Sequence, residues 1–131
     1  MVEKLESSLG RSALRSFVEL AKFDHLIFKF EVYKVCLGIS DRRPDEFASH
    51  RNCRLGKWYY EGEGQRCYCR LEGYAALEQP HQDVHHHGRE AVQLYRAGNP
   101  EAGARSVRAM EAASRRVLDC LEKIARDSEA A

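Results

Sequence analysis

Apolar residues recur every three or four positions along most of this chain, and no segment alternates as a half-buried strand does. Over residues 6–37 the positions Leu14, Phe17, Ala21, His25, Phe28, Val32, Val35 and Ile39 form one stripe of a helix facing a core. A second apolar line, Leu20, Phe23, Ile27 and Phe30, runs beside it, so this helix is apolar over a wide arc and is expected to pack against more than one neighbour. Breaks at residues 38–44 (GISDRRP), 62–64 (GEG) and 98–100 (GNP) separate segments rich in Ala, Leu, Glu, Arg and Lys, all good helix formers. Three breaks predict four helices, and short connections make sequential helices antiparallel. The expectation is an all-α, antiparallel four-helix bundle.

The second helix is predicted over residues 45–60. Ser40 or Asp41 caps the loop entry, Pro44 suits a first helical position, and Phe47, His50, Cys53 and Lys57/Trp58 share one side. The third, over residues 65–97, carries the stripe Cys67, Leu71, Tyr74, Glu78, His81, His85, Gly88, Val92, Tyr95. The fourth starts at Asn99 as N-cap with Pro100 and Glu101 in its first turn, and continues through Ala104, Val107, Glu111, Ser114, Leu118, Leu121 and Ala125. Residues 127–131 (DSEAA) are expected to fray. The chain reads as a single domain over residues 1–131, with its core between about 14 and 125.

Composition narrows the function. With 21 Lys+Arg against 20 Asp+Glu the net charge is +1, and the arginines are scattered. Nucleic acid is therefore not the expected partner, since phosphate binding needs a basic surplus on one face. No apolar stretch approaches the roughly 20 residues of a membrane span, and the N-terminus lacks the apolar core of a signal peptide. Five cysteines are an odd number. Without an export signal they read as reduced thiols of a cytoplasmic protein, as core residues or as ligands.

Four of the six histidines fall between positions 81 and 87. His81 and His85 are one helical turn apart on the inward stripe, while His86 and His87 turn towards a flank and solvent. A lone His-x-x-x-His is also what two hydrogen-bonded core histidines look like. His25 on the first helix and Cys53 on the second face inward too, however. Three imidazoles and one thiol from three helices suit tetrahedral Zn²⁺. Gly56, one turn after Cys53, removes a side chain where a neighbouring helix or an ion must come close, and Trp58 offers a ring to seal the site. Pro80 should kink the third helix beside His81. Asp24, Glu78 and Asp83 are by position the carboxylates available to orient ligand imidazoles. His50 is a rival ligand one turn before Cys53. Cys67 and Cys69 are too far apart around a helix to clasp one ion, and Cys36 and Cys120 read as packing.

His25, then Cys53-Arg-Leu-Gly-Lys-Trp, then His81-x-x-x-His85 resembles the chemoreceptor zinc-binding (CZB) domain family, whose pattern is a His, a Cys-x-apolar-Gly-x-aromatic element and a His-x-x-x-His pair. The resemblance extends over about residues 17–121. It implies a four-helix bundle, usually a homodimer, in bacterial cytoplasmic signalling proteins, with zinc held by His25, Cys53, His81 and His85; His50 is not part of the pattern. Family members are typically fused to a chemoreceptor signalling region or a diguanylate cyclase. No such output region is recognised here, so the chain is expected either to act in trans or to be one module of a longer protein. Four protein ligands leave no open position for a catalytic water, and no nucleophile triad, phosphate loop or acid pair stands out, so catalysis is not expected. Three readings remain: a sensor whose helix packing follows zinc occupancy, a sensor of hypochlorous acid or peroxide acting through zinc-bound Cys53, and a structural dimerisation module stapled by zinc.

Overall fold

The computed structural model describes residues 2–130; Met1, Ala131 and the side chains of residues 2–9 and 11 lie outside what it describes. Three long helices carry the fold: α1 (Val2–Cys36), α4 (Glu72–Arg96) and α5 (Pro100–Ala130). Between α1 and α4 the chain makes a 3-10 turn at Pro44–Glu46 and two short helices, α2 (Arg54–Tyr60) and α3 (Glu63–Cys67). Among the described residues there is no strand, so the chain is all-helical as its periodicity predicts. α4 and α5 form the most closely packed pair, and α1 lies against both.

Glycine punctuates the ends of the long helices. Gly38 and Gly98 adopt φ of +75° and +79°, a conformation that L side chains rarely take. After α1, Gly38 N–H donates to Val35 O (3.0 Å) and Ile39 N–H to Lys34 O (2.9 Å); after α4, Gly98 N–H donates to Tyr95 O (3.1 Å) and Asn99 N–H to Leu94 O (2.9 Å). Both are Schellman closures that satisfy carbonyls the helix leaves free. Asn99 then turns to the next helix, its Oδ1 accepting from Ala102 N–H (3.3 Å) as the predicted N-cap. α5 runs on to Ala130, beyond the point where the sequence predicts fraying.

Leu14, Val18, Ala21, Val32 and Val35 of α1, Leu77, Val84, Ala91 and Val92 of α4, and Met110, Val117, Leu121 and Ile124 of α5 form one continuous core. At about 1.5–3 kcal/mol for each large side chain removed from water, this core is a substantial source of stability that owes nothing to a metal. Ile39, placed on the α1 stripe by its spacing, falls beyond the helix end and is exposed, as is Glu78 of α4. The second apolar line also stays exposed in the single chain, with Phe23 at 57% and Phe30 at 63%.

Two predicted helices are broken. The segment expected to be helical from residue 45 is helical only from Arg54. Ser49 intervenes: its Oγ accepts from Arg51 N–H (3.3 Å) and Asn52 N–H (3.2 Å), offering the backbone partners that a continuous helix would supply. The segment predicted from residue 65 is interrupted between Cys67 and Glu72, where Leu71 becomes the N-cap of α4. α4 itself runs unbroken through the buried Pro80.

Candidate metal centre

Three segments bring four donors together. α1 supplies His25, the residue preceding α2 supplies Cys53, and α4 supplies His81 and His85. One donor atom from each lies within 4.8 Å of the others, and Cys53 Sγ is 3.2 Å from His81 Nε2. Donors that share a zinc ion at about 2.0–2.3 Å must themselves sit about 3–4 Å apart; Cys53 and His81 already stand at that spacing, and the other donors lie close to it. It lies in the core: His25 is 3% exposed, His81 1% and His85 3%.

The tautomers follow from the backbone. His25 Nδ1 is 2.9 Å from the carbonyl of Ala21, one turn earlier on α1. His85 Nδ1 is 2.7 Å from the carbonyl of Ala48. A carbonyl only accepts, so both Nδ1 atoms carry the proton and both Nε2 atoms present a lone pair. Among the described residues, His25 Nε2 and His85 Nε2 are buried without any hydrogen-bond partner. Each such orphan costs about 1–3 kcal/mol, a cost that a bound cation removes.

Burial also sets the protonation. It pushes His25 below the ordinary histidine range, His81 down to about 2 and His85 down to about 3, and the crowding of imidazoles on one another adds to the shift of His81 and His85. All three rings are therefore neutral and ready to ligate. Burial likewise pushes the Cys53 thiol up, against the opposing pull of Gly56 N–H, which donates to Sγ at 3.4 Å. A dication reverses that balance and favours the thiolate.

One prediction arises here. Above pH 6.5 the imidazoles are neutral in folded and unfolded chains alike. Below it, the unfolded chain takes up protons that the folded, metal-free domain refuses until about pH 2–3. Metal-free protein therefore loses about 1.4 kcal/mol of stability per pH unit for each such histidine as the pH falls from 6.5. Urea unfolding between pH 7 and 5 measures this; a flat profile would mean that the rings are not held neutral in the fold.

The loop of residues 47–53 positions half of the site. Its Ala48 carbonyl orients His85, and its last residue is Cys53. Gly56 closes it: a Cβ there would stand 1.9 Å from the carbonyl oxygen of His50. The close approach that the sequence suggests for Gly56 thus comes from the loop's own backbone. α2 is then tied to α4 by Tyr59 and Tyr74, whose rings stack at 4.0 Å, and by Tyr59 Oη donating to Tyr74 O (2.9 Å). Trp58 stacks between Phe17 (4.9 Å) and Tyr68 (6.0 Å).

The other sequence candidates fall elsewhere. His50 lies beside the cluster, its ring 5.9 Å from that of His81, but outside the four converging donors. His86 is exposed and His87 half-buried, in a separate group with Glu90. Of the three carboxylates, Glu78 accepts from Tyr60 Oη (2.9 Å), Asp83 from Gln79 Nε2 (2.9 Å), and Asp24 pairs with Arg54 (3.2 Å), bracing α1 against the start of α2. The partners that orient His25 and His85 are main-chain carbonyls, which no side-chain pattern announces. Cys67 and Cys69 are exposed, and Cys36 and Cys120 half-buried.

One family model, that of the chemoreceptor zinc-binding domain, matches residues 25–92, just over half of the chain and a span that begins at His25 and includes Cys53, His81 and His85. The chain belongs to the chemoreceptor zinc-binding domain family. No curated protein and no solved structure matches it significantly. In this CZB domain the neutral, buried imidazoles beside a thiol fit zinc, which when bound would supply the positive charge that the orphaned lone pairs of His25 and His85 lack.

Proposed function

We propose that this CZB domain is a zinc-responsive regulatory module of bacterial cytoplasmic signalling, with zinc held by His25, Cys53, His81 and His85. The observation that carries the reading is the pair of orphaned Nε2 atoms on His25 and His85, which belong to different helices. α1 touches α2 only sparsely, so an ion bound by His25 and Cys53 adds a tie between α1 and the loop before α2, beside the Asp24–Arg54 pair. Zinc occupancy then sets how firmly α1 is held, and α1 carries the state of the site to an output region in cis or trans, a chemoreceptor or a diguanylate cyclase. Four protein donors complete a tetrahedral ion, so the role is regulatory and not catalytic.

The partner of α1's outer face is a second copy of the chain. Leu20, Phe23, Leu26, Ile27 and Phe30 are all exposed along one helix, an apolar run of the kind that marks an interface. A homodimer joined there would let α1 feel both the site and its twin.

A pocket of about 210 Å³ between α1 and the loop reaches Cys53 as well as His25 and His85. It gives a small oxidant access to the thiolate, and so supports a second reading, in which sulfenylation of Cys53 loosens the zinc.

Zinc removal tests the main reading. Stripping the metal with a strong chelator should leave helicity near its starting value while amide exchange around His25 on α1 speeds up, and sedimentation of the zinc-loaded protein at micromolar concentration should show a dimer. Unchanged exchange on α1 would sink the switch, and a monomer would remove the dimer.

A further inference from the structure

Directly after His85, α4 carries a second set of donors away from the buried cluster: His86, His87 and Glu90. The two imidazoles face the two oxygens of one carboxylate. His86 Nε2 is 3.6 Å from Glu90 Oε2, and His87 Nδ1 is 3.5 Å from Glu90 Oε1. Both separations exceed a good hydrogen bond and match the spacing of two ligands sharing one ion at about 2.0–2.2 Å. Among the described residues, His87 Nδ1 is itself buried and has no hydrogen-bond partner.

The carboxylate is held in place. Ser106 Oγ on α5, a buried side chain, donates to Glu90 Oε1 at 2.7 Å. That bond, ahead of the contribution of His87, holds Glu90 below the usual carboxylate range. Arg89, on the same helix and lining the same cleft, is engaged elsewhere, its Nε donating to the Pro44 carbonyl at 3.2 Å. His86 and Glu90 also border a cleft of about 430 Å³ that runs past His50 and Ser49 to His85.

We infer that His86, His87 and Glu90 bind a second divalent transition-metal ion, at the mouth of the cleft that leads to His85. Two imidazoles and a carboxylate favour Zn²⁺, Ni²⁺ or Cu²⁺ over Ca²⁺ and Mg²⁺, which prefer oxygen ligands throughout. Three protein ligands on a half-exposed face leave the remaining positions to water, so the site is weaker and faster to exchange than the buried one. It requires nothing of the buried cluster and stands whether or not that cluster is filled.

Tag-free protein titrated with Co²⁺ separates the two sites. The ion bound through Cys53 gives a sulfur-to-cobalt charge-transfer band, and an ion on His86, His87 and Glu90 gives none. The wild-type protein should take up one cobalt with that band and a second, more weakly, without it. The His86→Gln/His87→Gln protein should keep the band and bind the second ion at least tenfold more weakly, and Glu90→Gln should weaken it in the same direction. A wild type that saturates at one ion, or a second ion that both variants bind as the wild type does, overturns the inference. Absence of the charge-transfer band would instead count against the buried site, and the weak equivalent would remain measurable by itself.

Discussion

Cys53→Ala protein should hold zinc roughly two to three and a half powers of ten more weakly than the wild type and still fold. Cys53 is the only anionic donor among the four that converge, and removing one partner of a buried charge pair costs about 3–5 kcal/mol, which converts to that loss of affinity at about 1.4 kcal/mol per tenfold. Three neutral imidazoles remain, with an open position that water can fill, so binding is weakened and not abolished. The fold should survive because the buried side chains of α1, α4 and α5 form a continuous core without help from the site. Small zinc fingers, by contrast, are unfolded without metal. Competition against a chelator of known affinity gives the first quantity and circular dichroism the second. Global unfolding of Cys53→Ala would make zinc a structural staple and favour the dimerisation reading. Unchanged affinity would take Cys53 out of the site altogether.

Gly56→Ala should do comparable damage without touching a donor. In a helix this exchange ordinarily stabilises by about 1 kcal/mol. Here the new methyl meets the His50 carbonyl oxygen at 1.9 Å and two backbone atoms of Arg51 at 2.9 Å, and backbone cannot swing aside as a long side chain does. Overpacking of this kind costs about 1–3 kcal/mol, so the sign reverses. The loop that must move carries both Cys53 and the carbonyl that orients His85. Disturbing a group that orients a ligand lowers metal affinity by about 10–100-fold. Thermal melts of metal-free protein and zinc competition should both register the change, with α4 and α5 intact. A Gly56→Ala protein as stable as the wild type, with the same affinity, would show that the loop has more room than its backbone suggests.

Much of this arrangement is legible in the sequence, because helical spacing reports burial directly. The stripe from Leu14 to Ile39 faces the core except at Ile39, with Phe17 and Phe28 half-buried at its edge and the fully buried Val18 missed, and His25 lies on it as its spacing requires. His81 and His85 are inward and His86 outward for the same reason. Periodicity fails where other forces set the backbone. It places Cys53 inside a helix, whereas the Ser49 hydroxyl diverts the preceding residues and leaves Cys53 as the cap of α2. It also follows the fourth helix through Ala104, Val107 and Leu118, whereas Gly103, Ser106, Ala113 and Val117 are the more buried. Small residues win there because α5 approaches its neighbours closely: a Cβ on Gly103 would stand 2.5 Å from the Tyr95 ring. The carbonyls of Ala21 and Ala48, which fix two of the three imidazoles, are invisible to any reading of side-chain types.

The loop of residues 47–53 therefore does two jobs at once, and the site inherits a particular way of failing. Its Ala48 end steers a ligand on α4, and its Cys53 end is a ligand itself. A displacement of its backbone at one end moves the other, so one shift disturbs a donor on the loop and the aim of a donor on α4 together. Two of the four donors thus depend on one short stretch of chain, and whatever holds that stretch still also holds the place of the ion.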